Sequence, residues 1–237
     1  MDTLTRPPTA DLYRSTPPLE VRASDDGRMT LFGHFSVFNS PTEINSAYEG
    51  RFVERIAPGA FTKTLAERGD QIRIMWNHGK QGELEGAIIA RADTITEDKR
   101  GGYYEASLFR GLPEWLYEGL REGQYGASFR FAAVRDDWND TPDRSDSNPE
   151  ALPERTVTEA KLYELGPVSF GAYDDATAAV RSLSDRYHDL STSPDRAAPG
   201  HPVNGDAATA TAITPPLRAP VGLTPAQRES ALRSIQL

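Results

Sequence analysis

Between residues 29 and 38 bulky side chains fall on both parities of the chain. Met29, Leu31, Gly33, Phe35 and Val37 alternate with Thr30, Phe32, His34, Ser36 and Phe38. That is the pattern of a strand covered on both faces, as in a closed or two-sided sheet. A second run, Gln71 to Gly79, places Ile72, Ile74, Trp76 and His78 on one parity. If that strand stays regular, His78 lies at the end of an apolar face, partly shielded from water. Gly86 to Thr94, Tyr103 to Phe109, Tyr125 to Val134 and Arg155 to Leu165 read as further strands. Pro58 opens a predicted helix over Gly59 to Arg68, with Phe61 and Leu65 on one face and Gly69 as its stop. A second helix is predicted over Pro113 to Arg121, with Trp115, Leu116 and Leu120 inward. Several strands with a few short flanking helices predict an α+β domain with a β-barrel-like core.

The patterning fades at both ends. Residues 1–19 contain Pro7-Pro8 and Pro17-Pro18 and no period, so they read as a flexible N-terminal arm. Residues 189–223 are rich in Ser, Thr, Ala, Pro and Asp. Such a stretch cannot bury enough apolar surface to offset its ordering entropy, and it reads as a disordered linker. Residues 224–237 then predict a short helix. Thr224 serves as N-cap, Pro225 takes the first helical position and Gln227 completes a capping box. This helix is either a fraying terminus or a docking peptide for a partner. The folded domain is thereby placed at 20–188.

Composition changes this picture in three ways. Hydrophobic residues make up 38% of the 237, and the shortfall lies in the arm and tail rather than in the domain. The chain has no cysteine, which excludes disulfides, thiolate catalysis and Cys-based zinc sites. The net charge of −9 disfavours binding to nucleic acid phosphates. Much of that charge sits in 136–154, where seven acidic residues face the single Arg144. With Pro142, Pro149 and Pro153 among them, these residues predict a solvated acidic loop. The spacing and glycine of a calcium loop are missing there. No apolar run approaches the roughly 20 residues that span a bilayer, and the N-terminus has no apolar stretch of a secretory signal. The expectation is a soluble cytosolic protein with no membrane or nucleic-acid partner and no cofactor.

Only four histidines are present: His34, His78, His188 and His201. A metal hydrolase built on histidine clusters is poorly supported. A serine nucleophile with one histidine base needs less. Serine is weak at its ordinary pKa, so a neutral imidazole must take its proton, and a third group must orient the ring. Ser128 lies in Gly126-Ala127-Ser128-Phe129-Arg130-Phe131, where Gly126 and Ala127 allow a substrate backbone to come close. Glu164 and Glu159 on the last strand, and His34, are the candidates for the third group. Taken singly, each has a plain structural reading: a small strand residue, a turn residue, a solvent-facing acid.

The segments in order carry more weight. They are Gly33-His34-Phe35-Ser36-Val37-Phe38-Asn39, Glu54-Arg55-Ile56-Ala57-Pro58-Gly59-Ala60-Phe61 and Trp76-Asn77-His78-Gly79. They continue with Gly126 to Phe131 and Leu162-Tyr163-Glu164-Leu165-Gly166-Pro167-Val168-Ser169-Phe170-Gly171-Ala172-Tyr173. Their order and spacing resemble the head maturation (prohead) proteases of tailed bacteriophages, over residues 20 to 180. The departure is Gly171, where that family commonly shows proline.

The resemblance implies a serine endopeptidase related to the herpesvirus assembly proteases, working without a cofactor. It implies His78 as general base, Ser128 as nucleophile and Glu164 as the third member, with His34 kept as a minor alternative. It also implies enclosure in an assembling prohead in the host cytoplasm. There the enzyme would cleave scaffold protein or the major capsid protein's scaffolding region, and itself. A homodimer is a further expectation. The competing reading is a catalytically inactive, capsid-associated structural homologue.

Overall fold

A computed structural model describes residues 6–23, 27–80, 82–169, 184–185 and 187–188. The chain divides into two compact units, 1–195 and 196–237, and every described residue lies in the first. The linker at 189–223 and the helix at 224–237 lie outside the described residues, as does Gly171.

The described chain is α+β. Ten strands form one sheet, curled into a half-barrel. They are β1 (Leu12–Ser15), β2 (Glu20–Ala23), β3 (Met29–Val37), β4 (Thr42–Ser46) and β5 (Gly50–Ile56). β6 (Arg73–Met75), β7 (Ile88–Glu97), β8 (Gly101–Leu108), β9 (Gly126–Asn139) and β10 (Glu154–Val168) follow. The order across the sheet is β1-β9-β10-β6-β7-β8-β3-β2, with β5 also on β10 and β4 beyond it. Two helices flank the sheet, α1 (Thr62–Arg68) and α2 (Glu114–Arg121).

β10 organises this sheet. One of its edges pairs antiparallel with β9 along nearly its whole length. Its other edge takes β5 at Glu154 to Val157 and β6 at Glu164 and Leu165, both parallel. Between those two stretches the β10 amides have no strand to pair with. Buried amides need partners, and the turn before α1 and α1 itself supply them. The amide of Ala160 donates to the Ala60 carbonyl at 2.8 Å, and that of Leu162 to Thr64 Oγ1 at 3.2 Å. The segment that links β5 to β6 thus continues the ladder along the same edge of β10.

The core lies on the face of β9 and β10 that carries Phe129, Phe131, Val157, Leu162 and Leu165. Phe35 of β3 meets Phe61 and Phe129 edge-on, with ring centroids 5.0 and 5.7 Å apart. Such pairs combine a large buried area with a favourable quadrupole geometry.

Several expectations shift in detail. The first helix starts at Thr62 rather than Gly59. Gly59 is spent in a turn at φ +84°, and the free amide of Phe61 is taken by Glu97 of β7 at 2.9 Å. Trp115 is not inward. The buried stripe of α2 is Leu116 and Leu120, one turn apart, and Trp115 stands beside it, 40% exposed.

The arm is not free throughout, since Leu12–Ser15 forms β1 on β9. Leu12 and Tyr13 are both buried there, and sheet pairing overrides the surrounding prolines. The acidic stretch is only partly a loop. Residues 136–139 extend β9, and arginines from elsewhere pair with the acids: Arg6 with Asp140, Arg51 with Glu150, Arg55 with Glu154 and Arg155 with Asp136.

A buried ionic network ties β1, β5, β9 and β10 together. Arg14 contacts Glu49 Oε2 at 2.6 Å and Glu54 Oε1 at 2.7 Å. Arg155, fully buried, reaches Glu54 Oε2 at 3.4 Å and Asp136 Oδ2 at 2.7 Å. Burial pulls the Arg14 guanidinium down, but Glu54 and Glu49 more than offset it, so its pKa is raised overall. Removing one partner strands the others. Arg155→Ala is expected to cost about 3–5 kcal/mol, read as a lowered midpoint in chemical denaturation. A loss under about 1 kcal/mol would place this network among surface-type pairs.

Candidate active site

The run expected as one strand, Gln71 to Gly79, breaks after Met75. Trp76 to Gly79 form a tight 3-10 turn instead, and Asn77 and His78 both adopt left-handed backbone, at φ 46° and 56°. The parity argument for His78 therefore fails, although the conclusion of shielding holds, because the turn folds the imidazole back over the sheet. Two successive non-glycine residues in this region are costly and need outside support. Asn77 supplies part of it. Its buried Oδ1 accepts the amide of Ser169 at 2.9 Å and the Ser169 hydroxyl at 3.2 Å, pinning the turn to the end of β10. Asparagine also tolerates left-handed backbone better than most residues.

A register shift aims the acid. Leu162 pairs with Phe131, yet Glu164 pairs with Arg130, so β10 carries one extra residue at Tyr163. Without that bulge Leu162 and Glu164 would share a face. With it, Leu162 stays in the core while Glu164 turns to the opposite face. There its Oε1 meets His78 Nδ1 at 2.7 Å, with both side chains almost wholly buried.

Ser128 occupies that same face. It pairs with Gly166 of β10 and Ser15 of β1, two residues along β9 from Arg130, or about 7 Å. Gly166 matters because a Cβ there would sit 2.1 Å from the Met75 carbonyl oxygen. Its bareness lets β10 close against the residue that leads into the His78 turn. Ser128 is fully buried, and among the described residues Ser128 Oγ and His78 Nε2 have no hydrogen-bond partner, each other included. Buried polar atoms are seldom left so, and each calls for an explanation, a catalytic role among them. Catalytic hydrogen bonds are commonly long before substrate binds.

The other two candidates lie elsewhere. Glu159 pairs with Lys63 at 3.0 Å and Arg135 at 3.4 Å. His34 Nε2 meets Asp98 Oδ2 at 2.9 Å, and its ring packs on Tyr103. Neither contacts His78. Among the described residues no group of three or more His, Asp or Glu is placed to hold a metal ion, and no helix is long and apolar enough to cross a membrane.

Residues 17–189 match the model of the caudovirus prohead serine protease family. The chain belongs to that family. No curated protein matches it. Among solved structures, the bacteriophage T4 capsid assembly protease gp21 is similar. It is 16% identical, the likeness covers 69% of this chain and 99% of that one, and the TM-score is 0.46.

Within this chain, the surroundings of His78 contain residues that sequence reasoning missed. Tyr13 of β1 meets the imidazole edge-on at 4.8 Å, and Tyr187 meets it at 4.6 Å. Burial holds the Tyr13 phenol above its ordinary pKa, so it stays protonated. Lys80 lies 5.1 Å from the Tyr13 ring and donates to the Tyr187 carbonyl at 3.2 Å. Tyr13 precedes the matched stretch and sits among prolines, so only its apolar neighbour Leu12 hinted at a strand. Gly126 and Ala127 do not present an open edge either, since the Thr16 amide already donates to the Ala127 carbonyl at 3.0 Å.

The Asn77 clamp is directly testable. Asn77→Ala is expected to destabilise by about 2–3 kcal/mol, from the lost buried hydrogen bond and the strained backbone. Asn77→Gly should cost about 1 kcal/mol less, because only the hydrogen bond is lost. Equal losses in thermal or chemical denaturation would remove backbone strain from the account.

Proposed function

We propose that this chain is the serine endopeptidase of phage head maturation, with Ser128 as nucleophile, His78 as general base and Glu164 as the group that orients the base. One observation carries this reading. The buried His78 Nδ1 is held on Glu164 at 2.7 Å, while His78 Nε2 and Ser128 Oγ are left without partners on one face of the sheet. With Nδ1–H donating to Glu164, the neutral imidazole carries its lone pair on Nε2, the tautomer a general base requires.

The chemistry follows from that arrangement. Ser128 Oγ attacks the scissile carbonyl carbon as Nε2 takes its proton, and the Glu164 carboxylate stabilises the resulting imidazolium. The same proton then passes to the leaving amine, and water cleaves the acyl-enzyme by the reverse sequence. The reading needs no cofactor. Its substrates are the phage scaffold protein or the scaffolding region of the major capsid protein, met inside the assembling prohead in the host cytoplasm. The chain is also a substrate of itself. Cleavage between about residues 180 and 224 would separate the domain from its terminal segment, which serves to dock on a capsid or scaffold partner.

Co-expression with the neighbouring major capsid protein, read by intact mass spectrometry, tests this. Wild type is expected to shorten the capsid protein or itself, and Ser128→Ala to leave both intact, the rate falling about a millionfold by comparison with other serine proteases. Glu164→Gln should retain the fold but lose about four orders of magnitude in kcat, because an amide does not hold the correct tautomer. Assembled particles in which wild type cuts nothing would favour an inactive structural homologue. Cutting by Ser128→Ala would reject the nucleophile.

A further inference from the structure

Ser128 is fully buried, and His78 and Glu164 are nearly so. A polypeptide cannot reach a nucleophile placed in this way. Part of the cover over His78 comes from the described end of the first unit, where residues 184–185 and 187–188 are helical and Tyr187 packs on the imidazole. We propose that this segment is an autoinhibitory strap, docked over the proteolytic centre and released to admit substrate. The proposal rests on the reading of Ser128 and His78 given above.

The described residues of the segment are anchored on Tyr13, on His78 and on the turn after β4. Ser184 Oγ accepts the backbone amide of Tyr13 at 3.1 Å, on the strand beside Ser128. The Asp185 carboxylate caps the turn after β4, accepting from Ser46 Oγ at 2.7 Å and from the amides of Ala47 and Tyr48 at 3.0 Å each. Tyr187 is buried against the imidazole of His78 and against Tyr13, with ring centroids 4.6 and 4.8 Å away. His188 stacks on Tyr48 at 3.7 Å.

The manner of attachment suits release. Tyr187 belongs to a small apolar cluster with Tyr13 and Val168, separate from the main core. Ser184 and Asp185 add hydrogen bonds to an edge strand and to the turn after β4, and Lys80 adds one to the Tyr187 carbonyl. Detaching the strap therefore takes the Tyr187 ring off the His78 imidazole and leaves the main core packed. Segments whose few apolar contacts lie outside the core open at lower free energy than the domain unfolds. In the closed form the apparent activity is reduced by the fraction of molecules that are open, so weakening an anchor raises it.

Asp185→Ala in the full chain removes the anchor with most hydrogen bonds. Tyr187→Ala removes the apolar one and serves as a second variant should the first not fold. Two readouts are taken on each protein. Hydrogen exchange at the amides of Tyr13 and Tyr48 reports whether the strap has left. Labelling by a fluorophosphonate probe, in which Ser128 Oγ displaces fluoride and bonds to phosphorus, reports access to the nucleophile, with Ser128→Ala as blank. Faster exchange in either variant, together with at least roughly tenfold faster labelling of Ser128 than in wild type, is the expected result. Faster exchange with labelling at the wild-type rate overturns the strap and leaves the serine reading intact. Faster exchange with no labelling of Ser128 in any protein overturns the serine reading, and the strap's purpose with it. Unchanged exchange in both variants overturns the anchoring and hence the strap.

Discussion

Strand β10 is hydrogen-bonded along both edges, and the rest of the molecule is arranged around that constraint. β9 takes one edge almost end to end, while β5, α1 and β6 share the other. Because the strand is buried, every amide along it must find a partner. The gap between β5 and β6 is therefore filled by the Ala60 carbonyl of the turn before α1 and the Thr64 hydroxyl of the helix. That requirement sets how far α1 lies from the sheet. It also places β6 so that the turn after it hangs over the far end of β10, where Glu164 is found.

Two local irregularities then convert a regular sheet into a site. The bulge at Tyr163 moves Glu164 off the core face, and the left-handed turn at Asn77 and His78 brings the imidazole to meet it. Either device alone would leave a buried group without a partner: a carboxylate against apolar side chains, or an imidazole pointing past the sheet. The strained backbone is held by contacts that lie elsewhere in sequence, the Ser169 amide on Asn77 and the bare Gly166 against Met75. Strain that persists only because its surroundings over-determine it is typical of functional sites.

Electrostatics follows the same logic of partners supplied from a distance. The acidic stretch near 136–154 is highly charged in isolation, but four arginines from other segments meet its carboxylates. The exposed pairs among them add little to stability. Arg155 differs, because it is fully buried and joins Glu54 to Asp136. Through Glu54 the network continues to Arg14, the neighbour of Tyr13. The charges that brace β1 on the sheet thus also fix the strand whose tyrosine covers the base.

Much of the protein was determined by local pattern. The α+β class, strands β3 and β7 to β10 to within a few residues, and His78, Ser128 and Glu164 as candidates could be read from alternation and short segments, since side-chain period and turn residues act locally, whereas β2, β4 and β5 were not anticipated. Local pattern left Glu164, Glu159 and His34 open, and only the family resemblance favoured Glu164. Glu159 and Glu164 lie on one strand, and only the bulge, which depends on how β9 pairs with it, turns one toward His78 and leaves the other with Lys63 and Arg135. The strand at Leu12–Ser15 was hidden because its stability comes from pairing with a partner more than a hundred residues away. Tyr13 and Tyr187 about the imidazole were hidden for the same reason. Sequence determines which residues can carry the chemistry. Tertiary structure decides which of them meet, because register and packing depend on contacts between segments that local propensity does not encode.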